Sequence, residues 1–270
     1  MSTYYSDPKV SRAEAEESSA DLRDQIENIR VTFPKAGYRM LHHYLERNRV
    51  KISEYKLRKV MLQFKLFLKK KRRYVRTTNS EHGFDVYPNL IKDLKITRLN
   101  QVWVSDITYI RITNGFVYLA VVIDLYSRKV IGWEISKKID GELVLGATSM
   151  AFQKRGSPKG VIHHSDRGVQ YLCDKHVQFL NENKFKISCA AKGNPYENAF
   201  AESFMKTLKS NQVDLFKYET IVDVIENVPG FIEEVYNRKR LHSSLNYLTP
   251  EEFEAKCTKK SRTGRRKKKA

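Results

Sequence analysis

Apolar residues recur at helical spacing in three early stretches: Leu22, Ile26 and Ile29; Met40, Leu41, Tyr44 and Leu45; and Leu57, Val60, Met61 and Phe64. A stripe repeated every three or four positions is the buried face of an amphipathic helix. The spacing therefore predicts helices over 21–30, 38–48 and 53–68. Gly37 precedes the second, and Ser53 is placed to cap the third through its side-chain oxygen. The exposed face of the third helix then carries Lys56, Arg58, Lys59 and Lys65. The trio reads as a small all-α module of helix-turn-helix type, with a plain three-helix packing unit as the alternative.

From residue 101 the pattern changes to β-rich runs. Val102 to Ile110, Val117 to Ile123 and Lys129 to Ile135 are separated by the turn signals Thr113-Asn114-Gly115 and Tyr126-Ser127-Arg128, which predicts a three-stranded antiparallel meander. A helix over 140–154, a strand over 160–164, a helix over 174–183, a strand over 185–190 and a long helix over 197–212 follow. Three strands and then strand-helix alternation is the order of a ribonuclease-H-like α/β fold, a mixed five-stranded sheet with flanking helices. The expected organisation is a helical module over 1–75, a linker over 76–98 signalled by Thr77, Thr78, Asn79 and Ser80, the ribonuclease-H-like core with C-terminal helices over 99–255, and a tail over 256–270.

Charge narrows the partner. Fifty Lys and Arg against 31 Asp and Glu leave a formal +19, and residues 31–100 hold 18 basic and 5 acidic side chains, a net +13. Such a surface binds a polyanion by releasing counterions, so nucleic acid is the expected partner. The block Lys69, Lys70, Lys71, Arg72 and Arg73 and the run from Lys259 to Lys269 are the densest cationic segments. The second has no apolar residue to pack and reads as a disordered arm gripping phosphates. No run of about 18 apolar residues and no N-terminal signal pattern occurs, so a soluble, intracellular protein is expected. Cys173, Cys189 and Cys257 are too few and too scattered for a disulfide framework or a Cys-x-x-Cys zinc site.

Three acids stand out. Asp106 sits mid-strand among Val104, Ile107, Tyr109 and Ile110, where a carboxylate loses hydration and needs a cation. Asp166 follows the strand residues Val161 and Ile162, at the strand end where α/β proteins gather ligands. Glu202 lies on a helix whose stripe of Phe200, Phe204 and Leu208 is expected to pack on the sheet, which would turn Glu202, Lys206 and Lys209 outward together. His163 and His164 read as packing residues, Tyr196 as a loop contact and Asp124 as a turn-capping acid.

Ser165-Asp166-Arg167-Gly168, Asn198 to Phe204 around Glu202, and Trp103 to Asp106 resemble the three catalytic segments of the DDE transposase and retroviral integrase superfamily. The 35 residues between Asp166 and Glu202 have the same spacing. More narrowly, the chain resembles the OrfB part of the IS-three family of bacterial insertion-sequence transposases. Gly37-Tyr38-Arg39, the segment from Tyr118 to Asp124, the segment from Ser127 to Trp133, the segment from Tyr236 to His242, and Leu248-Thr249-Pro250 carry that likeness over about residues 35–255.

The resemblance implies that Asp106, Asp166 and Glu202 hold Mg²⁺, with Mn²⁺ as a substitute. Two ions about 4 Å apart would then serve an in-line phosphoryl transfer that cleaves and joins DNA at insertion-sequence ends. It further implies contacts to terminal and target DNA, a homo-oligomer on DNA, an upstream OrfA-type product as fusion or partner, and a bacterial cytoplasmic, nucleoid-associated setting. The cationic residues expected to meet DNA are Lys56, Lys59, Lys69 to Arg73, Lys206 and Lys209. The rival readings are a nuclease that only hydrolyses and a DNA-binding regulator on an inactive fold. A retroviral integrase proper would carry a His-His-Cys-Cys zinc module at its start, whereas the first cysteine here is Cys173.

Overall fold

The computed structural model describes residues 12–68, 87–190 and 199–267, with side chains over 17–68, 87–190 and 199–259. The chain divides into two compact units, Met1–Tyr74 and Val75–Ala270. No helix among the described residues is long and apolar enough to cross a membrane.

The first unit is a helix trio: α1 (Arg12–Thr32), α2 (Tyr38–Arg47) and α3 (Glu54–Gln63). Leu22, Ile26 and Ile29 from α1 meet Leu41 and Leu45 from α2 and Leu57, Val60 and Met61 from α3 in the core, and all are buried. Phe33 stacks on Tyr44 at 4.6 Å. The Ser53 hydroxyl accepts the Lys56 N–H at 3.2 Å, capping α3. Lys56, Arg58, Lys59 and Lys65 are exposed, and Arg58 lies 5.3 Å over the Tyr38 ring.

Two boundaries differ from the apolar spacing. α1 starts at Arg12, well before its first buried residue, because the polar lead contains Ala13, Glu14, Ala15, Glu16 and Glu17, strong helix formers that need no core. α3 stops at Gln63 instead of continuing to 68. Lys65 adopts a left-handed φ of 54°, and Leu66 donates its N–H back to Met61 at 2.8 Å, a Schellman closure without glycine.

In the second unit, β1 (Val102–Ile112), β2 (Gly115–Asp124) and β3 (Val130–Ser136) form the antiparallel meander, and β4 (Ile162–Ser165) and β5 (Lys186–Cys189) extend it. The order is β3-β2-β1-β4-β5, with β4 parallel to β1 and β5 parallel to β4. This is the ribonuclease-H-like sheet.

Both faces are covered, as the period-two alternation of strand side chains requires. Trp103, Ala120 and Val122 face α4 (Gly141–Lys154) and α5 (Asp174–Glu182). Val102, Val104, Ile110, Leu119, Val121 and Ile123 face α6 (Ala199–Leu208), α7 (Ile221–Gly230) and the π-helical turn Phe231–Asn237. Gly132 is obligatory for one of these contacts: a Cβ there would lie 2.2 Å from the Ala147 carbonyl, so α4 seats directly on β3.

The stretch expected to be linker does not stand free where it is described. Tyr87 packs on one sheet face, Ile91, Leu94 and Ile96 pack on the other, and the Leu90 N–H donates to the Ser188 hydroxyl at 2.9 Å. Its apolar side chains thus belong to the second unit's core.

The basic tail also departs from expectation. α8 (Pro250–Lys267) carries a helix through most of the segment expected to be disordered. Thr249 and Glu252 cap its start reciprocally, with backbone-to-side-chain bonds of 2.9 and 3.2 Å, and the Lys and Arg that follow are good helix formers.

Candidate active site

β1 and β4 set the site by register. Val104 pairs with His164 across the parallel ladder. Two residues further along stand Asp106, still within β1, and Asp166, the first residue past the end of β4. Asp106 shares its strand face with Val102, Val104 and Ile110, the face on which α6 packs. Glu202 is exposed on α6, and its charge bears on Asp106.

The electrostatics report the same convergence. Asp106 is pushed up to about 7, first by burial and then by the negative charge of Asp166, with Glu202 adding to it. The Ile107 N–H, donating to Asp106 Oδ1 at 2.9 Å, and the nearby Lys209 cation oppose the rise. Asp166 Oδ1 accepts the Gly168 N–H at 3.0 Å. A Cβ on Gly168 would come 3.0 Å from that same oxygen and 2.8 Å from Gln170 Oε1, so a side chain here would crowd the carboxylate.

Three carboxylates on three elements are a hard-oxygen donor set suited to Mg²⁺ or Mn²⁺. Their oxygens are not all drawn within 4.8 Å of one another; among the described residues the group that is comprises His42, His43 and Glu46 on α2. That group is already internally paired, with His43 Nδ1 2.9 Å from Glu46 Oε2, and it lies beside the cations Arg49 and Lys51.

The histidines near Asp166 are packing residues. His163 Nε2 bonds the Ser105 hydroxyl at 2.8 Å and His164 Nδ1 the Ser188 hydroxyl at 2.9 Å, both fully buried. Asp124 caps its turn by accepting the N–H groups of Asn100, Tyr126 and Ser127 at 2.7, 2.9 and 3.2 Å.

The helix carrying Glu202 is shorter than its apolar pattern predicts: α6 ends at Leu208 and gives way to a π-helical turn, Lys209–Val213. Its buried stripe is Ala201, Phe204, Met205 and Leu208. Phe200, expected in that stripe, is 42% exposed and instead supports the guanidinium of Arg128 at 3.6 Å. It stands at the first turn of α6, where the rim of the core is reached and a cation replaces aliphatic neighbours. Lys206 is exposed, but Lys209 folds inward over the Tyr109 ring at 4.3 Å, half-buried and beside Asp106. The π-helical turn shifts Lys209 off the straight helical face that spacing alone assigns it.

Lys69, Lys70, Lys71, Arg72, Arg73 and Tyr196 lie outside the described residues. Sequence reasoning did not single out Tyr171, Arg128 or the Arg155–Glu254 pair, whose placement depends on long-range packing.

Comparison with known proteins completes the picture. Models of the integrase core domain match residues 96–195 and 183–250. The chain is 33% identical over 257 residues to the insertion element IS600 uncharacterized 31 kDa protein of Shigella sonnei, covering 94% of each chain. It is 40% identical over 168 residues to the transposase for insertion sequence element IS904 of Lactococcus lactis subsp. lactis (strain IL1403), covering 62% of this chain and 66% of that one. It is 39% identical over 189 residues to transposase InsF for insertion sequence IS3A of Escherichia coli (strain K12), covering 70% of this chain and 66% of that one. A solved structure of the HTLV-2 integrase catalytic core domain in complex with magnesium (trimeric form) superposes with a TM-score of 0.44 at 17% identity, covering 57% of this chain and 95% of that one. With near full-length likeness to an insertion-element protein and an integrase core beneath it, the chain belongs to the insertion-sequence transposases that carry an integrase core domain.

Proposed function

We propose that this chain cleaves DNA at insertion-sequence ends and joins the freed 3′ ends to target DNA, with Asp106, Asp166 and Glu202 as its catalytic carboxylates. The observation that supports the reading is the Asp106 carboxyl, raised to about 7 first by burial and then by the charge of Asp166, with Glu202 adding to it. A partly buried acid opposed by two others is costly to ionise, and a divalent cation is the partner that relieves it.

The three carboxylates would hold Mg²⁺, or Mn²⁺ in its place, as two ions that activate the attacking hydroxyl oxygen and stabilise the leaving one. Asp106 is held from the strand backbone by Ile107, and Asp166 from its turn by Gly168. Glu202 is presented by a helix anchored through Phe204, Met205 and Leu208. Lys209 sets a cation beside Asp106, where it can meet a DNA phosphate and limit repulsion among the acids. No side chain becomes covalently attached to DNA.

DNA is the partner that the excess of cations suits. Lys56 and Lys59 on α3, the block Lys69 to Arg73, and Lys206 and Lys209 are the proposed contacts. A homo-oligomer assembled on DNA and an upstream OrfA-type partner or fusion complete the proposal.

The test is incubation of the chain with terminal DNA and target DNA in Mg²⁺, sequencing the products. Joined strands that vanish in Asp106→Asn, Asp166→Asn and Glu202→Gln support the assignment. Hydrolysis without joining marks a nuclease, and a triad variant that keeps most of its joining sinks the site.

A further inference from the structure

Tyr171 lies in the turn between β4 and α5, three residues past Gly168, to whose carbonyl it donates its N–H at 3.0 Å. Its own carbonyl is 2.9 Å from His176 Nδ1. The side chain is 3% exposed, with ring centroids 6.3 Å from His163 and 6.0 Å from His176. Yet its hydroxyl is buried with no hydrogen-bond partner among the described residues. A buried hydroxyl left unpaired opposes folding, and phenylalanine would fill the same space without that cost.

The ring lies against the turn that shapes Asp166. Tyr171 Cδ2 is 3.6 Å, and Asp166 Oδ1 3.0 Å, from the point where a Gly168 side chain would begin. A phenol hydroxyl is a proton donor suited to an anionic oxygen, and the charges of Asp106 and Asp166 both bear on it. Asp106 Oδ1 and Asp166 Oδ1 are each held by a backbone N–H, and a donor from the turn after β4 would hold the carboxylates from a second side.

We propose that Tyr171 is a positioning residue whose hydroxyl donates to the Asp106 and Asp166 carboxylate pair in the metal-loaded site, fixing the orientation in which they bind the cation. The proposal rests on the triad reading above. It explains why a polar group is kept where packing alone asks for none: its bond is made in the working state.

Thermal unfolding of the whole chain, titrated with Mg²⁺ and separately with Mn²⁺, tests it in wild type, Tyr171→Phe and Asp106→Asn. Phenylalanine keeps the ring contacts to His163 and His176, so the metal-free Tyr171→Phe chain should melt at or above the wild-type temperature. The cation concentration giving half of the metal-induced stabilisation should rise about tenfold or more, the usual effect of losing a bond that orients a ligand. Unchanged metal titration in Tyr171→Phe overturns the proposal, as does a lower metal-free melting temperature, which would show that the hydroxyl already has a structural partner. Asp106→Asn should abolish the metal-induced shift; if it does not, the triad reading falls and the role of Tyr171 with it. A metal titration unchanged in Tyr171→Phe but abolished in Asp106→Asn overturns the role of Tyr171 and leaves the triad reading standing.

Discussion

The guanidinium of Arg128 lies 3.6 Å from the centroid of the Phe200 ring, joining the turn between β2 and β3 to the first turn of the helix that presents Glu202. Arg128 holds a left-handed φ of 63° and is half-buried, so burial lowers its pKa while Tyr236 and Asp124 offset part of the effect. The aromatic face compensates a cation with few other partners. A double-mutant cycle of Arg128→Ala and Phe200→Ala, read by chemical unfolding, should return a coupling of roughly 1–2 kcal/mol. Each single variant should also lower strand joining by freeing the start of α6. Additive unfolding energies would show that the contact is incidental.

Asp106 makes the metal-free protein sensitive to pH. Its folded pKa, about 7, lies above its ordinary value of 3.8, so the folded chain binds more protons than the unfolded chain between those two values. The stabilisation from this group is full below about pH 4 and is lost as pH rises through about 7. Asp106→Asn should therefore be more stable than wild type at about pH 8 without metal, and its stability should vary less between about pH 4 and pH 8. Equal pH profiles for the two proteins would contradict the burial of this carboxylate.

Glu254 ties α8 to the sheet. It accepts from the Ser127 hydroxyl at 2.6 Å, pairs with Arg155 through two bonds, one of 3.0 Å, and lies 3.6 Å from Lys129. The side chains of Arg155 and Glu254 are only 14% and 12% exposed. Glu254→Ala leaves the Arg155 cation buried with Asp124, at 3.9 Å, as its remaining ion-pair partner among the described residues. The expected loss is about 3 kcal/mol of unfolding free energy, since breaking a buried pair costs far more than removing a surface one. A loss below about 1 kcal/mol would show that the pair is effectively solvated.

The two lysines of the α6 region should separate. Lys206→Ala removes an exposed cation and should weaken DNA binding, flatten the salt dependence by about one phosphate contact and leave stability unchanged. Lys209→Ala should do the same to DNA binding and also lower stability by about 0.5–1 kcal/mol, because its cation rests on Tyr109. Melting curves and salt titrations of both variants decide this; identical behaviour would mean that Lys209 does not hold its inward position.

Local chemistry in the sequence determined the elements. Period-two runs became β1 to β3, the stripes Leu41/Leu45 and Leu57/Val60/Met61 became helix faces, and Ser53 and Asp124 cap where their side-chain oxygens can reach nearby N–H groups. Those signals are readable because each depends on neighbours within about four residues along the chain. The three acids proposed as catalytic were singled out through their motifs and their order.

Tertiary structure alone decided what depends on residues far apart in sequence. It set β4 beside β1 through the Val104–His164 pairing, turned Phe200 out to Arg128, and bent Lys209 in over Tyr109. It docked Ile91, Leu94 and Ile96 onto the sheet and buried the Tyr171 hydroxyl. Burial, and the fields that raise Asp106, are properties of strand register and helix packing, and a shift of one residue in that register would send every side chain of the strand to the opposite face.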